Sequence, residues 1–585
     1  MRGAVQTRKR ASAAPMPPVL APDHSKALAQ AVANTSVDAA RTVAWRVAQG
    51  WWNALVGKLN PVAPARYNGA VVEHLPGIDT IAESFGAELS RQPVWQAAAE
   101  IGRLYCSLLP TKHRRLNGVF YTPMPLVSRL LDGAEAAGHD WTLGKVIDPS
   151  CGGGAFLIEA AGRMATALGA ADPAIIVASV SARLRGWELD PFAAWLSHVC
   201  VEALLLPHVL ASGKRLTPLT ETRDSLTGWD WDEGEYALVM GNPAFGKIKD
   251  NDAIRNRFRR SLFGHPNLYT LFTDLAVHLA APKDGIIAYL TPTSYLGGQY
   301  FKALRRLLAK QAPPFSIDIV ESRVDVFEDV LQEVALSVFL RGSEARTANC
   351  SVIHVGKKGL RIEAAGCFVL PRDPEVAWLM PRQAKDAVLV ERMLSMSSRL
   401  ADWGYSVSTG PLVWNRKKAR LHNEPRKGSV PVVWAESVSI DGTFRLKNEK
   451  RSHAAFYAPT GPSDSNLVRA PCVLIQRTTA KEQNRRLITA IMPISLVKAN
   501  GAVAVENHLN MVIAAKSKPA VPMEVLAAFF ASDTADRVIR CINASVALSA
   551  SEIESMPLPA PNRIISAMTS RIPEQALRRL YGIDE

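Results

Sequence analysis

An amide, a proline and an aromatic ring follow closely on one another in residues 240–246, Met-Gly-Asn-Pro-Ala-Phe-Gly. They come directly after the apolar run 237–240, which predicts a buried strand. The side-chain oxygen of Asn242 and the backbone carbonyl of Pro243 can accept hydrogen bonds from an exocyclic amine. The ring of Phe245 can stack on the base that carries this amine. The segment therefore predicts a catalytic site that acts on the amino group of a nucleobase.

A second loop, residues 148–154 with the sequence Asp-Pro-Ser-Cys-Gly-Gly-Gly, also follows an apolar run and precedes a predicted helix. Glycines let the backbone approach a ligand closely, and the start of a helix offers free N–H groups. The loop has neither the dinucleotide pattern nor the Walker pattern. An acid at its start disfavours a phosphate and suits a cation, such as the ammonium group of a methionine moiety. The predicted cofactor contacts are Asp148, Pro149, Ser150, Cys151, Gly152 and Gly154.

Further acidic residues follow later predicted strands. Glu188, in the segment Gly-Trp-Glu-Leu-Asp-Pro, stands where an acid of a doubly wound sheet holds the ribose hydroxyls of a cofactor. For Asp190 we favour the role of a helix N-cap. Asp224 can accept a hydrogen bond from an adenine amino group, but a structural role is equally open.

Residues 118–123, Gly-Val-Phe-Tyr-Thr-Pro, precede a predicted helix over residues 124–131. One interpretation is a simple helix start with a proline nearby. The functional interpretation is a lid over the methionine end of the cofactor. It makes Tyr121, Thr122 and Pro123 cofactor contacts.

The motifs fall at the ends of predicted strands. From residue 118 to about residue 340, short apolar runs alternate with helical stretches. Such alternation implies crossover units and an α/β fold with a doubly wound, mainly parallel, Rossmann-like sheet. Ligands bind at the carboxyl ends of the strands of such sheets. The predicted strands are Lys145–Ile147, Leu184–Trp187, Ala237–Met240, Gly285–Leu290, Ser316–Val320 and Val334–Leu340.

The rest of the chain predicts three regions around this domain of residues 118–340. Residues 1–25 are basic and rich in alanine and proline, and we expect a disordered leader because the apolar core of a signal peptide is missing. Residues 26–117 predict a helical extension, since apolar residues recur at spacings of three and four. Residues 341–585 predict a separate α+β domain with short strands, many turns and a helical stretch at Glu524–Cys541.

Composition limits the functional classes. The 585 residues carry a net charge of +14, which favours a polyanionic partner, most commonly nucleic acid. Seven cysteines without a Cys-x-x-Cys pair indicate neither a disulfide framework nor a zinc site, and we expect no metal. No apolar run reaches 18 residues, so we expect no membrane span and a cytoplasmic location.

Taken in order, the motifs Gly-x-Phe-Tyr-Thr-Pro, Asp-Pro-Ser-Cys-Gly-Gly-Gly, Glu-Leu-Asp-Pro and Asn-Pro-x-Phe resemble those of the γ-type DNA amino-methyltransferases. These enzymes belong to bacterial restriction–modification systems and include the TaqI and Eco57I methylases. The resemblance covers residues 105–340 firmly and the C-terminal part loosely. It implies S-adenosylmethionine as cofactor and methylation of N6 of a flipped adenine in duplex DNA.

Two positions modify this resemblance. Ala244 stands where the family has a second proline, which implies a less rigid loop because proline fixes φ and restricts its predecessor. The family also places a second aromatic ring against the flipped base, and Phe327 is the residue that we match to it. A plain core phenylalanine is the alternative for that position.

The C-terminal domain loosely resembles the target-recognition domains of the same enzymes. Basic loops around residues 415–420 and 477–486 suit contacts with DNA phosphates, and arginine can also read base edges. A solvated charged face is the alternative for each single cluster. The predicted DNA contacts are Arg416, Lys417, Lys418, Arg477, Lys481 and Arg485.

Several alternatives remain open from the residues alone. Cytosine-N4 methylation would use the same loop. Methylation of a glutamine amide in a protein or of RNA would use a similar loop on the same fold, and the large basic C-terminal domain disfavours the protein substrate. A non-catalytic DNA-binding specificity subunit is disfavoured by the intact catalytic and cofactor motifs. Cytosine-C5 methylation needs a nucleophilic cysteine, but Cys472 of the single Pro-Cys pair lies in an apolar run. We expect a monomer that binds double-stranded DNA. By analogy with the restriction–modification enzymes that the chain resembles, we also expect a separate cognate restriction endonuclease as a partner.

Overall fold

The computed structural model describes residues 28, 36–57, 62–69, 77–117, 121–227, 233–248, 251–321, 333–356, 359–447, 453–479, 485–543 and 547–583. The predicted leader of residues 1–25 and the predicted contacts Phe327 and Lys481 lie outside these described residues.

Helices dominate the region before the sheet, as its apolar spacing predicts. Within the described residues they are α1 (Val37–Val56), α2 (Asp79–Leu89), α3 (Val94–Leu108) and α4 (Thr111–Asn117). The hydroxyl of Ser36 accepts a hydrogen bond from the backbone N–H of Ala39 at 3.1 Å and so caps the start of α1. Trp51 and Trp52 of α1 are fully buried. Their hydrophobic cluster also contains residues of the sheet, so the extension shares its core with the domain that follows.

A nine-stranded sheet forms the centre of the molecule. Its order is β3-β2-β1-β4-β5-β7-β6-β8-β9, in which β1 to β5 are parallel to one another and β7 is antiparallel to β5 and β6. The carboxyl ends of β1, β2 and β4 therefore meet at one edge. The strands are β1 (Lys145–Asp148), β2 (Leu184–Glu188), β3 (Thr220–Thr222), β4 (Tyr236–Gly241), β5 (Ile286–Pro292), β6 (Pro314–Val320), β7 (Val334–Leu340), β8 (Thr347–Gly356) and β9 (Gly359–Val369).

Helices cover both faces of this sheet, and the predicted α/β fold class is confirmed. Neighbouring residues of β4 point to opposite faces: Leu238 and Met240 belong to one hydrophobic cluster and Val239 to another. Helix α5 (Met124–Ala136) precedes β1. The helices between β1 and β6 are α6 (Ala155–Leu168), α7 (Pro173–Arg183), α8 (Pro191–Leu204), α9 (Leu206–Ser212), α10 (Asp252–Arg257), α11 (Leu268–Leu279), α12 (Ser294–Gly297) and α13 (Lys302–Gln311).

The central sheet continues past residue 340. Strand β8 pairs parallel with β6, and β9 pairs antiparallel with β8. The predicted limit between the catalytic and recognition domains, after residue 340, therefore falls between β7 and β8 of a single sheet.

Two smaller sheets and several helices form the C-terminal part. One sheet has the order β10-β18-β15-β16 and the other the order β11-β13-β12-β17-β14. The strands are β10 (Tyr405–Thr409), β11 (Leu421–His422), β12 (Val430–Val433), β13 (Phe456–Tyr457), β14 (Leu467–Val468), β15 (Cys472–Gln476), β16 (Thr489–Met492), β17 (Val503–Val505) and β18 (Leu509–Ala514). The helices are α14 (Ala387–Ser395), α15 (Leu400–Trp403), α16 (Ile494–Asn500), α17 (Met523–Phe530), α18 (Asp533–Ile542), α19 (Ala550–Glu554), α20 (Pro561–Met568) and α21 (Pro573–Leu580).

Among the described residues, no single helix is both long and apolar enough to cross a bilayer. The pair α8 and α9 meets that test of length and composition only when its two helices are taken together, and it bends by 68° between them.

Candidate active site

Asn242 directly follows β4, and the nitrogen and the oxygen of its side-chain amide differ in their hydrogen bonding. Its Nδ2 donates a hydrogen bond to Oγ1 of Thr122 at 2.9 Å. Its Oδ1 is buried and has no hydrogen-bond partner within the described residues. Leaving such an acceptor unpaired costs about 1–3 kcal/mol. The site therefore holds an oriented acceptor that an incoming N–H group would satisfy.

Asp148 ends β1, beside the end of β4. Its side chain is almost fully buried, and its Oδ1 accepts a hydrogen bond from the backbone N–H of Ser150 at 2.9 Å. Burial raises the pKa of Asp148 to about 8, and the neighbouring Glu188 adds to this rise. A Cβ atom at Gly241 would lie 2.6 Å from Asp148 Oδ1, and φ there is +150°, so the strand end requires glycine. A carboxyl group in this position favours either a proton or a cationic ligand.

The glycine-rich loop packs its backbone tightly against α8. Gly154 starts α6 with φ of +88°, and a Cβ atom there would lie 3.0 Å from Cα of Ser197. The hydroxyl of Ser197 donates to the carbonyl of Gly152 at 2.6 Å. The Oγ of Ser150 is buried and has no partner within the described residues. The loop thus offers a fixed backbone and one unused hydroxyl to a ligand.

The neighbouring residues of this loop are buried. Cys151 is buried, and its backbone N–H donates to the carbonyl of Trp187 in β2 at 3.0 Å. The hydroxyl of Ser225 donates to the carbonyl of Pro149 at 2.6 Å. These bonds tie the loop to the ends of β2 and β3.

Glu188 at the end of β2 is held by two backbone N–H groups. Its Oε2 accepts from Gly152 at 2.9 Å, and its Oε1 accepts from Asp190 at 2.9 Å. Burial raises the pKa of the Glu188 carboxyl, while these N–H groups lower it and the charge of Asp190 raises it. A carboxylate oxygen can accept more than one hydrogen bond. Glu188 can therefore still accept hydrogen bonds from the hydroxyls of a ligand.

Asp190 caps a helix, as we favoured from the sequence. Its Oδ1 accepts from the backbone N–H of Phe192 in α8 at 2.9 Å. Arg41 of α1 and Tyr105 of α3 also bind its carboxylate. These two partners lie 149 and 85 residues away along the chain. No sequence pattern could have indicated them, because both stand in ordinary amphipathic helices.

Asp224 occupies a surface turn. Its side chain is exposed and accepts a hydrogen bond from the backbone N–H of Leu226 at 3.0 Å. The structural interpretation of Asp224 therefore has a visible basis in the described residues, and a cofactor contact stays a prediction.

Phe245 lies at the junction of the two hydrophobic clusters that flank the sheet. Its ring is partly exposed and meets the ring of Tyr269 edge to face, with the centroids 6.3 Å apart. The loop returns to α11 directly after it, where the N–H of Leu268 donates to the carbonyl of Gly246 at 2.9 Å. Pro243 is buried within the same loop. The ring is therefore held by its neighbours and remains partly exposed.

The segment upstream of α5 reaches the same site. Thr122 contacts Asn242, as described above, rather than only covering a cofactor. Tyr121 is partly buried, and burial raises the pKa of its hydroxyl well above the ordinary value. Pro123 precedes the first residue of α5.

The predicted DNA contacts differ in their surroundings. Arg416 and Lys418 are exposed, and Nζ of Lys418 lies 5.4 Å from the ring centroid of Trp414. Lys417 is partly exposed, and Arg477 donates to the carbonyl of Asn507 at 3.4 Å. The guanidinium of Arg485 instead binds Asp533 at 3.1 Å and the carbonyl of Ser532 at 2.9 Å. Arg485 thus joins the start of α18 to the loop before β16.

Other chemistries have less support in the described residues. Cys472 is fully buried in β15. No group of three or more His, Cys, Asp or Glu side chains in the described part of the chain could hold a metal ion.

Comparison with known proteins gives related sequences and a related fold. Residues 210–327 match the model of the Eco57I restriction-modification methylase family. The chain is 26% identical to the type II methyltransferase M.BsuBI of Bacillus subtilis over 353 residues, which cover 57% of this chain and 67% of that protein. It is 22% identical to the type II methyltransferase M.PstI of Providencia stuartii over 352 residues, which cover 56% and 66% of the two chains.

A solved structure shares the overall arrangement. The type IIL restriction-modification enzyme MmeI, determined in complex with DNA, matches with a TM-score of 0.53 and 13% identity over 96% of this chain and 90% of that one. At that identity the likeness shows the fold alone.

Proposed function

We propose that the chain methylates N6 of a flipped adenine in duplex DNA. The premise of this proposal is that the chain belongs to the Eco57I-type restriction–modification methylases. S-adenosylmethionine is the proposed methyl donor. The observation that carries the proposal is the buried, unpaired Oδ1 of Asn242 at the sheet edge that also holds Asp148 and Glu188.

The residues at this edge fit S-adenosylmethionine. The buried Asp148, whose pKa is about 8, favours a cationic group, and this suits an ammonium. Glu188 has lone pairs left for ribose hydroxyls, and the glycines of the loop leave its backbone open to close approach. When bound, the cofactor supplies an electrophilic methyl group on a sulfonium. The protein's part is to hold and orient both reactants.

Adenine N6 is a weak nucleophile because its lone pair is delocalised into the ring. The Oδ1 of Asn242 and the carbonyl of Pro243 accept hydrogen bonds from the two N–H groups of this nitrogen. These bonds draw the nitrogen toward tetrahedral geometry. The hydrogen bond from Asn242 to Thr122 fixes which end of the amide faces the base. Positive charge would develop on the nitrogen as it takes up the methyl group, and the two oxygens would stabilise this charge until one amino proton is released to solvent.

The target base must leave the duplex to reach this site. Stacking on the partly exposed ring of Phe245 offsets part of the lost base stacking, by about 1–3 kcal/mol. Tyr269 meets this ring edge to face and helps to hold it in place. A second stacking role for Phe327 belongs to the same proposal.

Binding of the duplex is assigned to the C-terminal part. We place phosphate contacts at Arg416, Lys417, Lys418, Arg477 and Lys481, where the first three form a basic surface segment. Arg485 is the weakest member of the predicted set because its guanidinium already binds three partners, Asp533 and the carbonyls of Ala531 and Ser532. A separate cognate restriction endonuclease is proposed by analogy only.

A transfer assay with product analysis tests the proposal. The protein is incubated with methyl-labelled S-adenosylmethionine and DNA from a complex genome, and the digested nucleosides are separated by mass spectrometry. We expect N6-methyladenine at one short sequence. N4-methylcytosine instead would establish the alternative amine, because the same loop can hold both.

Variants connect the activity to the site. Asn242→Ala removes one of the two acceptors that bind the amino group and stabilise its developing positive charge, and we expect at least about a 100-fold loss of rate. Asn53→Ala, at an exposed position of α1, is the matched control and is expected to act like the wild type. Unchanged methylation by Asn242→Ala would contradict the site assignment, and absence of transfer to any DNA would contradict the proposed function.

A further inference from the structure

The carboxylate of Asp190 joins the N-terminal extension to the start of α8. Nη2 of Arg41 lies 2.9 Å from Oδ1 of Asp190, and the hydroxyl of Tyr105 donates to Oδ2. The backbone N–H of Phe192 donates to Oδ1 at 2.9 Å. Two of these three partners come from α1 and α3, so the extension grips the residue that caps α8.

Asp190 is hydrogen-bonded directly to Glu188, the predicted ribose-binding acid. The backbone N–H of Asp190 donates to Oε1 of Glu188, and Oε2 of Glu188 accepts from Gly152. A continuous set of hydrogen bonds therefore runs from Arg41 through Asp190 and Glu188 to the glycine-rich loop. A shift of Asp190 would change the position of Glu188 directly.

Helix α3 also lies against the glycine-rich loop itself. A Cβ atom at Gly153 would be only 3.2 Å from Cα of Gly102 in α3, so the two backbones meet without side chains between them. The ring of Tyr105 packs on Phe192 with the centroids 4.7 Å apart. The extension thus forms one wall of the loop that we assign to the cofactor.

The charges of Arg41 and Asp190 also connect the extension to Glu188. Glu188 and Asp190 lie close together, and the negative charge of Asp190 raises the pKa of the Glu188 carboxyl. Arg41 is the cation paired with Asp190, and its side chain is only partly exposed. Without it, Asp190 would keep a partly buried charge and would repel Glu188 more strongly.

We propose that Arg41 and Tyr105 form a clamp on Asp190 by which the N-terminal extension sets the affinity of the Glu188 site for S-adenosylmethionine. Arg41 and Tyr105 are positioning residues, because they act through Asp190. The clamp rests on the proposed function, since it assumes the same cofactor.

Isothermal titration calorimetry of the full-length protein with S-adenosylmethionine, without DNA, tests the clamp. We expect Arg41→Ala to weaken binding about tenfold, or about 1.4 kcal/mol, and Tyr105→Phe to weaken it less because the ring contact with Phe192 remains. Arg41→Lys is expected to recover part of the affinity, since it keeps the charge but loses the planar donor geometry. With DNA present, KM for the cofactor should change far more than kcat.

Arg46→Ala is the matched control, because it removes a guanidinium five residues further along the same helix. Arg46 pairs with Asp79 and Glu83 inside the extension. We expect it to lower the melting temperature slightly and to leave the cofactor Kd unchanged. Equal weakening by Arg46→Ala and Arg41→Ala would show general loosening of the extension and would overturn the clamp.

The two proposals fail in different ways. Wild-type protein that binds no S-adenosylmethionine would overturn the proposed function, and the clamp with it. Wild-type binding together with an unchanged Kd for Arg41→Ala would overturn the clamp alone.

Discussion

One hydrogen bond decides how the amide of Asn242 is presented. Its nitrogen rests on Thr122, and this leaves the oxygen for the substrate. The sequence predicts both residues in the site, but it assigns Thr122 to the cofactor. The contact between Thr122 and Asn242 could not be read from the chain because the two residues are 120 positions apart and belong to different motifs.

Replacing Thr122 tests this orientation. Thr122→Val keeps the shape and removes the hydroxyl, so the amide of Asn242 loses its fixed direction. The loss of a neutral hydrogen bond of about 1 kcal/mol predicts a roughly fivefold to tenfold slower methyl transfer. Single-turnover kinetics with saturating cofactor measures this step, and Thr122→Ser should restore the rate. A wild-type rate in Thr122→Val would remove the orienting role.

The burial of Asp148, for which we propose a role in cofactor binding, carries a cost in stability. Its pKa of about 8 lies far above the ordinary value of about 3.9 for an unfolded chain. The folded state therefore favours the protonated form. The resulting stability is fully present below the unfolded pKa and is lost as the pH rises toward 8.

Asp148→Asn should therefore stabilise the cofactor-free protein increasingly between about pH 4 and about pH 8, because asparagine keeps the acceptor for Ser150 without the charge. The same change should weaken S-adenosylmethionine binding by about 10-fold to 100-fold, since a charged hydrogen bond contributes about 1.5–3 kcal/mol. Melting curves across this pH range and calorimetric titration at pH 8 measure the two effects. A melting temperature that falls relative to wild type as the pH rises would contradict the assignment.

At the scale of elements, apolar runs bounded by turn residues predict strands closely. The predicted limits Val334–Leu340 are those of β7, and the predicted strand Lys145–Ile147 is one residue shorter than β1. Strand β3 escapes prediction because its three residues, Thr-Glu-Thr, are polar and lie at the edge of the sheet. The predicted helix Glu524–Cys541 is two helices, because Ser532 caps α18 through the N–H of Ala535 and interrupts the run.

The contacts of Arg485 lie at the corner between α17 and α18. Its guanidinium binds Asp533 and the carbonyl of Ser532, so we expect a structural role there. Arg485→Ala should lower the free energy of unfolding by about 1–2 kcal/mol and leave the Kd for DNA nearly unchanged. Urea denaturation and fluorescence anisotropy with duplex DNA measure the two quantities. Unaltered stability with weakened DNA binding would return Arg485 to the DNA contacts.

At the scale of the molecule, the site depends on contacts between distant parts of one chain. The rule that ligands meet the carboxyl ends of parallel strands brings Asp148, Glu188 and Asn242 together from sequence alone. The rule says nothing about what packs on that edge from outside the sheet. Arg41 therefore could not be foreseen, because its helix shows only the periodicity of any buried amphipathic helix.

The charge of the whole molecule gives a prediction for DNA binding. The net charge is +14, and each cation that neutralises a phosphate releases counterions. If Arg416 and Lys418 each contact one phosphate, the double variant Arg416→Ala/Lys418→Ala should reduce the slope of log Kd against log salt concentration by about 1.8. Anisotropy titrations of one duplex from about 50 to about 200 mM salt measure this slope.

The matched control removes the same charge elsewhere. Arg571→Ala/Arg579→Ala changes two exposed arginines at α21. Charges farther from the DNA than the screening length of about 8–10 Å have little effect, so we expect an unchanged slope. An equal decrease in both double variants would mean that DNA responds to total charge rather than to the basic segment before β11. A decrease confined to Arg416→Ala/Lys418→Ala would place that segment on the phosphate backbone, because only direct neutralisation removes counterions one by one.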